Sequence, residues 1–279
     1  DSKTTKARGL FIDTKNYKIV ARSYDKFFKI GERNETTIDN FKKKLVFPVN
    51  FYLKYNGFLG ILSVYNDELF FASKSTNIGD YVTYFKNIFY KKYTNQQIKI
   101  LKDKMINENL SAVFEVLDPF NDPHIIEYQE ENIILLDLIK NSTNFEKITY
   151  SDLQTFANAN NISIKELVYT TNNIEEFMNI YNTITASDYK YQDNYIEGFV
   201  IEDTNNFMIK TKTSYYDEWK HLRTKMESSI KNNKYKTKCN DELEIKFLEY
   251  LKNKYQDKNV DLTKINIISE RNEFIKKII

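Results

Sequence analysis

A lysine that closes an apolar run and precedes a glycine three residues later is the first feature with chemical potential: Lys54-Tyr55-Asn56-Gly57, between Val49–Leu53 and Phe58–Leu62. A strand ending at such a lysine, with a tight turn whose glycine permits close backbone approach to a ligand, can present a primary amine to a phosphorus atom. Read only as an Asn-Gly hairpin turn, the same tetrapeptide carries an ordinary solvated lysine. Its meaning depends on what the fold brings beside it. Lys74 ends a strand that returns toward Lys54, so two amines could share one site. Glu115 interrupts an apolar strand, Ala112–Asp118, where a carboxylate is costly unless paired or bound to something. Glu197-Gly198 and Lys210-Thr211-Lys212 lie on the arms of a hairpin turning at Asp203–Asn206. Lysines two apart on a strand share a face, so this hairpin can gather a carboxylate and two amines into a phosphate-and-metal site. In Asp25-Lys26-Phe27-Phe28 adjacent aromatics face opposite sides of a strand, so either could pack in the core, and one could serve as a purine platform.

The elements that must position these groups read as a mixture of strands and helices. Residues 6–13 and 17–24 form a hairpin, 45–54, 58–65 and 68–74 a run of three strands, and 112–118, 125–128 and 132–138 continue the sheet; 195–202 and 207–212 close it. Helical periodicity appears at Ile78, Tyr81, Val82, Phe85 and Phe89, then after a Thr94-to-Gln97 capping box at Ile98, Leu101 and Met105. Residues 149–185 read as an inserted helical layer. After Ser214 the pattern is helical to about residue 231, followed by a lysine-rich linker at 231–238, a helix at 241–255 and a short, mixed tail at 260–279. The expectation is an α+β domain over 1–225, made of packed antiparallel sheets with flanking helices, and a helical C-terminal extension over 226–279.

Composition narrows the partners. Forty-one basic against 39 acidic residues give a formal charge of only +2, so phosphate binding must come from local placement. No apolar run is long enough to span a bilayer and no signal peptide opens the chain, so no membrane partner is expected. One cysteine and two histidines make an internal disulfide impossible and a structural zinc site improbable; a reducing, cytoplasmic setting is expected. The chain opens at Asp1 directly before patterned sequence, and the natural N-terminus is expected upstream.

The order of the motifs is more specific than any member. Lys54-x-x-Gly57, the strand ending at Lys74, Phe114-Glu115, Glu197-Gly198-Phe199-Val200 and Lys210-x-Lys212 form a series that resembles the covalent nucleotidyltransferase superfamily of polynucleotide ligases and mRNA capping enzymes, over roughly residues 6–223. Within it the chain resembles the RNA ligases typified by the T-even phage enzyme and the ligase domain of fungal tRNA ligase. Two upstream segments carry that likeness: Ala7-Arg8-Gly9-Leu10-Phe11, and Tyr24–Phe28 with Glu32 after it. The resemblance implies the nucleotidyltransferase fold and ATP as cofactor, with Mg²⁺ or Mn²⁺. It makes Lys54 the residue that becomes adenylylated, with Tyr55 and Gly57 in its motif. It sets Arg8, Lys26 and Lys74 at the ATP phosphates, Phe28 near the nucleotide, Glu115 at the ribose, Glu197-Gly198 at the metal with Glu115 as a second metal carboxylate, and Lys210 and Lys212 at the α-phosphate. Asn56 stands where phage-type and DNA ligases usually have Asp, as in fungal tRNA ligases, and Lys29 where Asn often follows the paired phenylalanines.

The implied reaction joins RNA 5′-phosphate and 3′-hydroxyl ends, for repair or for splicing of nicked tRNA, with an RNA end-healing kinase or phosphatase as fused or separate partner. An unperturbed lysine has a pKa of about 10.4, so attack at neutral pH requires the neutral amine to be favoured by nearby positive charge or desolvation. Mg²⁺, Lys74, Lys210 and Lys212 are expected to supply that charge. The mostly helical remainder argues against the OB barrel of DNA ligases and capping enzymes. A non-catalytic RNA-binding module and a protein AMPylator on the same fold are the alternatives.

Overall fold

The computed structural model describes residues 4–5, 7–231, 242–255 and 265–278. Two sheets face one another. One has five strands in the order β3 (Phe28–Lys29), β11 (Met208–Lys212), β10 (Gly198–Asp203), β4 (Val49–Lys54) and β9 (Leu167–Thr171), antiparallel except for the short β3–β11 pair. The other runs β6 (Glu68–Ala72), β5 (Phe58–Tyr65), β7 (Leu110–Leu117) and β8 (Asn132–Lys140), antiparallel throughout. A small hairpin of β1 (Phe11–Asp13) and β2 (Lys18–Ala21) precedes them.

Alternation along each strand explains the layering. Val49, Phe51, Phe199, Ile201 and Ile209 point outward from the five-stranded sheet into a core with Phe177 and Ile184 of α4 (Ile174–Thr185). Ala112, Phe114 and Val116 point outward from the other sheet under α1 (Asp80–Lys92), α2 (Asn95–Glu108) and α3 (Tyr150–Asn160). The inner faces keep the intervening residues: Tyr52 and Lys54, Gly198, Val200 and Glu202, Lys210 and Lys212, and from the opposite sheet Leu59, Val113 and Glu115.

The third core belongs to the C-terminal helices. Trp219, Leu222 and Met226 of α5 (Ser214–Lys231) pack with Phe247 and Leu251 of α6 (Glu242–Tyr255) and with Ile267 and Phe274 of α7 (Ile267–Ile278). α5 therefore runs unbroken through position 225, and from Tyr216 onward it contributes to the core it shares with α6 and α7.

Several expectations are corrected. Residues 125–128 are not a strand; Ile125 and Ile126 are buried against the C-terminal helices, and that burial accounts for their apolar character. The inserted layer at 149–185 holds strand β9, whose Leu-Val-Tyr-Thr-Thr composition suits an edge strand and which pairs antiparallel with β4. The mixed tail contains α7. The lysine-rich linker falls, after Lys231, outside the described residues.

Candidate active site

The segment after Lys54 is no hairpin: β4 and β5 belong to different sheets, so Tyr55-Asn56-Gly57 carries the chain across the seam between them. Lys54 stands at that seam. Asn56 is 5 % exposed and fixes the crossing, accepting from the Ile126 N–H at 3.1 Å through Oδ1 and donating its own N–H to the Tyr128 hydroxyl at 2.9 Å. Gly57 is required for a reason other than ligand approach. A Cβ there would lie 2.1 Å from the Val116 carbonyl oxygen, and the Gly57 N–H donates to Glu115 Oε1 at 2.9 Å. Gly198 is constrained more severely, with φ of +146° and a Cβ that would meet the Thr211 carbonyl at 2.2 Å.

Strand register then brings the motifs together. Gly198 pairs with both Lys54 and Lys212, which places Glu197 between two amines. Lys54 Nζ lies 2.9 Å from Glu197 Oε2, and Lys212 Nζ lies 2.9 Å from Oε1. Lys212 also sits over the Tyr216 ring at 4.1 Å, and Lys210 over the Phe27 ring at 5.5 Å, donating to the Phe27 carbonyl at 3.3 Å. Lys54, Tyr55, Arg8, Glu115, Glu197, Lys210 and Lys212 all line one cavity of about 180 Å³ between the sheets, whose other walls include Phe27, Leu59, Leu136, Val200 and Met208.

The electrostatics depart from the sequence expectation at Lys54. Burial alone would lower its pKa, but the Glu197 and Glu115 carboxylates outweigh burial and raise it, so they hold Lys54 as an ammonium. Glu197 is also buried, yet Lys54 and Lys212 keep its pKa below the usual value. Glu115 is raised, burial outweighing Lys54 and the Gly57 N–H. Lys210 is lowered to about 8 by burial and then by the neighbouring Lys54 charge. Burial lowers Lys212 too. Among the described residues no three metal-ligating side chains converge. Magnesium is commonly held by one or two carboxylates plus substrate phosphates, and Glu115 and Glu197 supply two beside the cavity.

Three expected residues lie apart. Lys74 lines a wider cavity of about 790 Å³ with Ser73, His124 and Arg223, joined to the first through Arg8, which lines both. Lys26 and Phe28 line a third, of about 530 Å³, where Lys26 and Arg33 sit over the Phe28 ring at 5.0 and 4.8 Å. Phe27, not Phe28, faces the Lys54 cavity. Sequence reasoning missed Tyr216, one helical turn beyond Lys212, whose position after the Lys-x-Lys strand was its available signal. It also missed Lys165, which no local pattern marks.

The pattern of the RNA ligase family matches residues 6–216. In sequence the chain is 25 % identical to tRNA ligase 1 of Schizosaccharomyces pombe over 309 aligned positions, covering 97 % of this chain and 38 % of that protein. It thus spans well under half the length of that curated relative. A provisional ATP-dependent DNA ligase from Aquifex aeolicus superposes with a TM-score of 0.58 at 17 % identity, over 97 % of this chain and 68 % of the other. An RNA ligase of Naegleria gruberi, solved with pyrophosphate, gives 0.57 at 13 % identity over 77 % and 60 % of the two chains. A variant of the Naegleria protein has also been solved with ATP and Mn. These structures share the nucleotidyltransferase fold, sheets and flanking helices together.

Proposed function

The chain belongs to the RNA ligase family, and from that premise we propose that it is an ATP-dependent RNA ligase whose nucleophile is Lys54. The observation that carries the reading is the single cavity into which Lys54, Arg8, Glu115, Glu197, Lys210 and Lys212 all project. The Lys54 amine attacks the α-phosphorus of ATP; a P–N bond forms, the bond to the bridging oxygen breaks and pyrophosphate leaves. An oxygen of an RNA 5′-phosphate next displaces Lys54 from that phosphorus. A 3′-hydroxyl finally attacks the RNA 5′-phosphorus, forming the phosphodiester and releasing AMP.

The chain's own residues have distinct parts in this scheme. Glu197 positions Lys54 and Lys212 from its two oxygens, and must yield its proton-stabilising hold on Lys54 before the nitrogen lone pair is free. Lys210 and Lys212 face charge developing on the α-phosphate, in a partly buried site where such charges count for more than in water. In this reading Arg8, which lines both cavities, and Lys74, which lines the wider one, take the outer phosphates and departing pyrophosphate. A divalent cation bound at Glu197 and Glu115 would supply positive charge to both phosphate and carboxylate. The Naegleria relative's ATP and Mn support this pairing of nucleotide and metal. The fungal relative, a tRNA ligase, supports a tRNA substrate; an RNA end-healing kinase or phosphatase, fused or separate, completes the proposal.

The test is incubation with α-labelled ATP and Mg²⁺, then with 5′-phosphorylated, 3′-hydroxyl RNA or nicked tRNA. Label should attach to the protein, survive alkali, be lost in acid and vanish in Lys54→Ala. No label on wild type leaves the non-catalytic RNA-binding module. Label without RNA joining, passed instead to protein, makes it an AMPylator.

A further inference from the structure

The inner end of the Lys54 cavity holds an amine that the reaction above leaves unused. Lys165 is 4 % exposed and lines the cavity. Its Nζ lies 2.6 Å from Asp137 Oδ2, 3.6 Å from Glu202 Oε2 and 4.2 Å from the centre of the Tyr52 ring. Lys147 completes the cluster, 3.3 Å from Asp137 and 2.7 Å from Glu202, and the Tyr24 hydroxyl donates to Asp137 at 2.5 Å. Two ammonium groups and two carboxylates buried together are often no more stabilising than apolar residues of like volume, and phenylalanine, leucine and methionine surround them here. The fold also departs from regularity to build the cluster. A β-bulge where β7 passes β8, between Val113 and Phe114, leaves Leu136 unpaired and turns Asp137, opposite Val113, toward the inner face.

Register gives the distance to the phosphate end. On the inner face of the five-stranded sheet Lys54, Gly198 and Lys212 make one row, Tyr52, Val200 and Lys210 the next, and Asn50, Glu202 and Met208 a third. Each row lies about 7 Å beyond the last, and Lys165 bears on Tyr52 of the second and Glu202 of the third. The cavity therefore runs from lysines suited to phosphates, past apolar walls at Leu136, Val200 and Met208, to one ammonium about a nucleoside's length from Lys54. An ammonium carries three N–H donors, and among the described residues only Asp137 takes one from Lys165 at hydrogen-bond distance.

Building on the reading of this cavity as the nucleotide site, we propose that Lys165 donates a hydrogen bond to N1 of the adenine base and so selects ATP over GTP. Adenine N1 is an acceptor, whereas guanine N1 carries a hydrogen that would point at the ammonium. Beside it, Glu202 Oε2 has no hydrogen-bond partner among the described residues; an acceptor there suits the adenine amino group and repels the guanine carbonyl.

The test measures calorimetric affinity and the rate of protein labelling with ATP, 1-deaza-ATP, 7-deaza-ATP and GTP, on wild type and Lys165→Met. Removing N1 should weaken wild-type binding about ten- to a hundredfold, the range for a hydrogen bond to a charged group, while 7-deaza-ATP matches ATP. Lys165→Met should lose as much with ATP and no longer distinguish 1-deaza-ATP from it. Should the single variant fail to fold, the charge-balanced pair Lys165→Met with Glu202→Gln leaves Lys147 and Asp137 matched and serves instead. Equal binding of 1-deaza-ATP by wild type, a penalty that persists without Lys165, or preference for GTP would overturn the proposal. Labelling without dependence on N1 overturns this inference alone; N1-dependent binding without labelling overturns the ligase reading alone.

Discussion

Replacing Glu197 by Gln should move two properties of Lys54 in opposite directions. The carboxylate is 4 % exposed and 2.9 Å from the Lys54 amine, and two unit charges at that spacing interact by about 6 kcal/mol at an effective dielectric of about 20. Solvation and the nearby Glu115 reduce what is felt. Even a quarter of it, about 1.4 kcal/mol, lowers the amine pKa by about one unit and raises the neutral fraction about tenfold well below that pKa. The sign follows from the shift: Glu197 and Glu115 raise Lys54 against its burial, so removing one carboxylate frees the lone pair. Reaction of Lys54 with a small uncharged acylating ester, followed by peptide mass spectrometry across pH 7–10, should therefore be about tenfold or more faster in Glu197→Gln. Labelling by ATP should fall in the same variant, because the carboxylate placed to position Lys54 and Lys212 and to receive a cation is gone. Unchanged acylation would refute the claim that Glu197 holds Lys54 protonated; faster acylation with undiminished ATP labelling would refute its part in the nucleotide step.

Three further outcomes follow from the geometry. Lys210, lowered to about 8, loses its proton in the native state well before it does in the unfolded chain; this group's penalty on stability is thus relieved as pH rises through that interval, while any function needing its charge declines above about pH 8. The descending limb of kcat/KM for labelling should shift upward in Lys210→Arg, which stays cationic, and a limb that stays put assigns it to another group. Asn56→Leu strands the buried Ile126 N–H that Asn56 now accepts from, and should cost about 1–3 kcal/mol in denaturant unfolding, with Asn56→Asp keeping the acceptor and destabilising less. Arg271→Met removes a guanidinium that donates to the Ile125 carbonyl and to Glu127, each at 3.1 Å, and stacks on Trp219 at 4.5 Å; the loop around Ile125 should exchange its amide hydrogens faster, and unaltered protection would show that the C-terminal helices do not hold it.

The strands carrying the site were legible because their apolar alternation is strong: β4, β5, β6 and β11 fall within the runs read from sequence, and β7 and β10 overlap theirs but begin two residues earlier and end one residue later, respectively. Their partners were not. That β4 and β5 lie in different sheets cannot be seen in a tetrapeptide that reads as a hairpin turn, because strand ends are local and sheet membership is set by pairing with β10 and β7. Phe27 and Phe28 show the same limit: alternation says that they face opposite ways, and only the parallel pairing of Phe28 with Ile209 decides which way is inward. Lys165 was invisible for a different reason. Its value comes from Asp137, Glu202 and Tyr52, each on another strand, and from a bulge that reverses the side Asp137 would otherwise face.

Position 56 shows how the C-terminal helices reach the nucleophile. The Asn56 amide oxygen is held by the Ile126 N–H, and its nitrogen lies 3.5 Å from the Tyr216 hydroxyl of α5. Ile125, one residue earlier, gives its carbonyl to Arg271 of α7, and Arg271 also donates to the Tyr215 hydroxyl. Two bonded steps thus join α7 to the turn beside Lys54. A carboxylate at position 56 would accept from Ile126 equally well, but it would place a further negative charge beside Glu115, already raised by burial, and beside Glu197. It would strengthen the grip on the Lys54 ammonium that the reaction must relax. The neutral amide gives the same orientation without that charge, so at this seam the turn is aligned by hydrogen bonds while the protonation of Lys54 is left to Glu197 and whatever cation binds there.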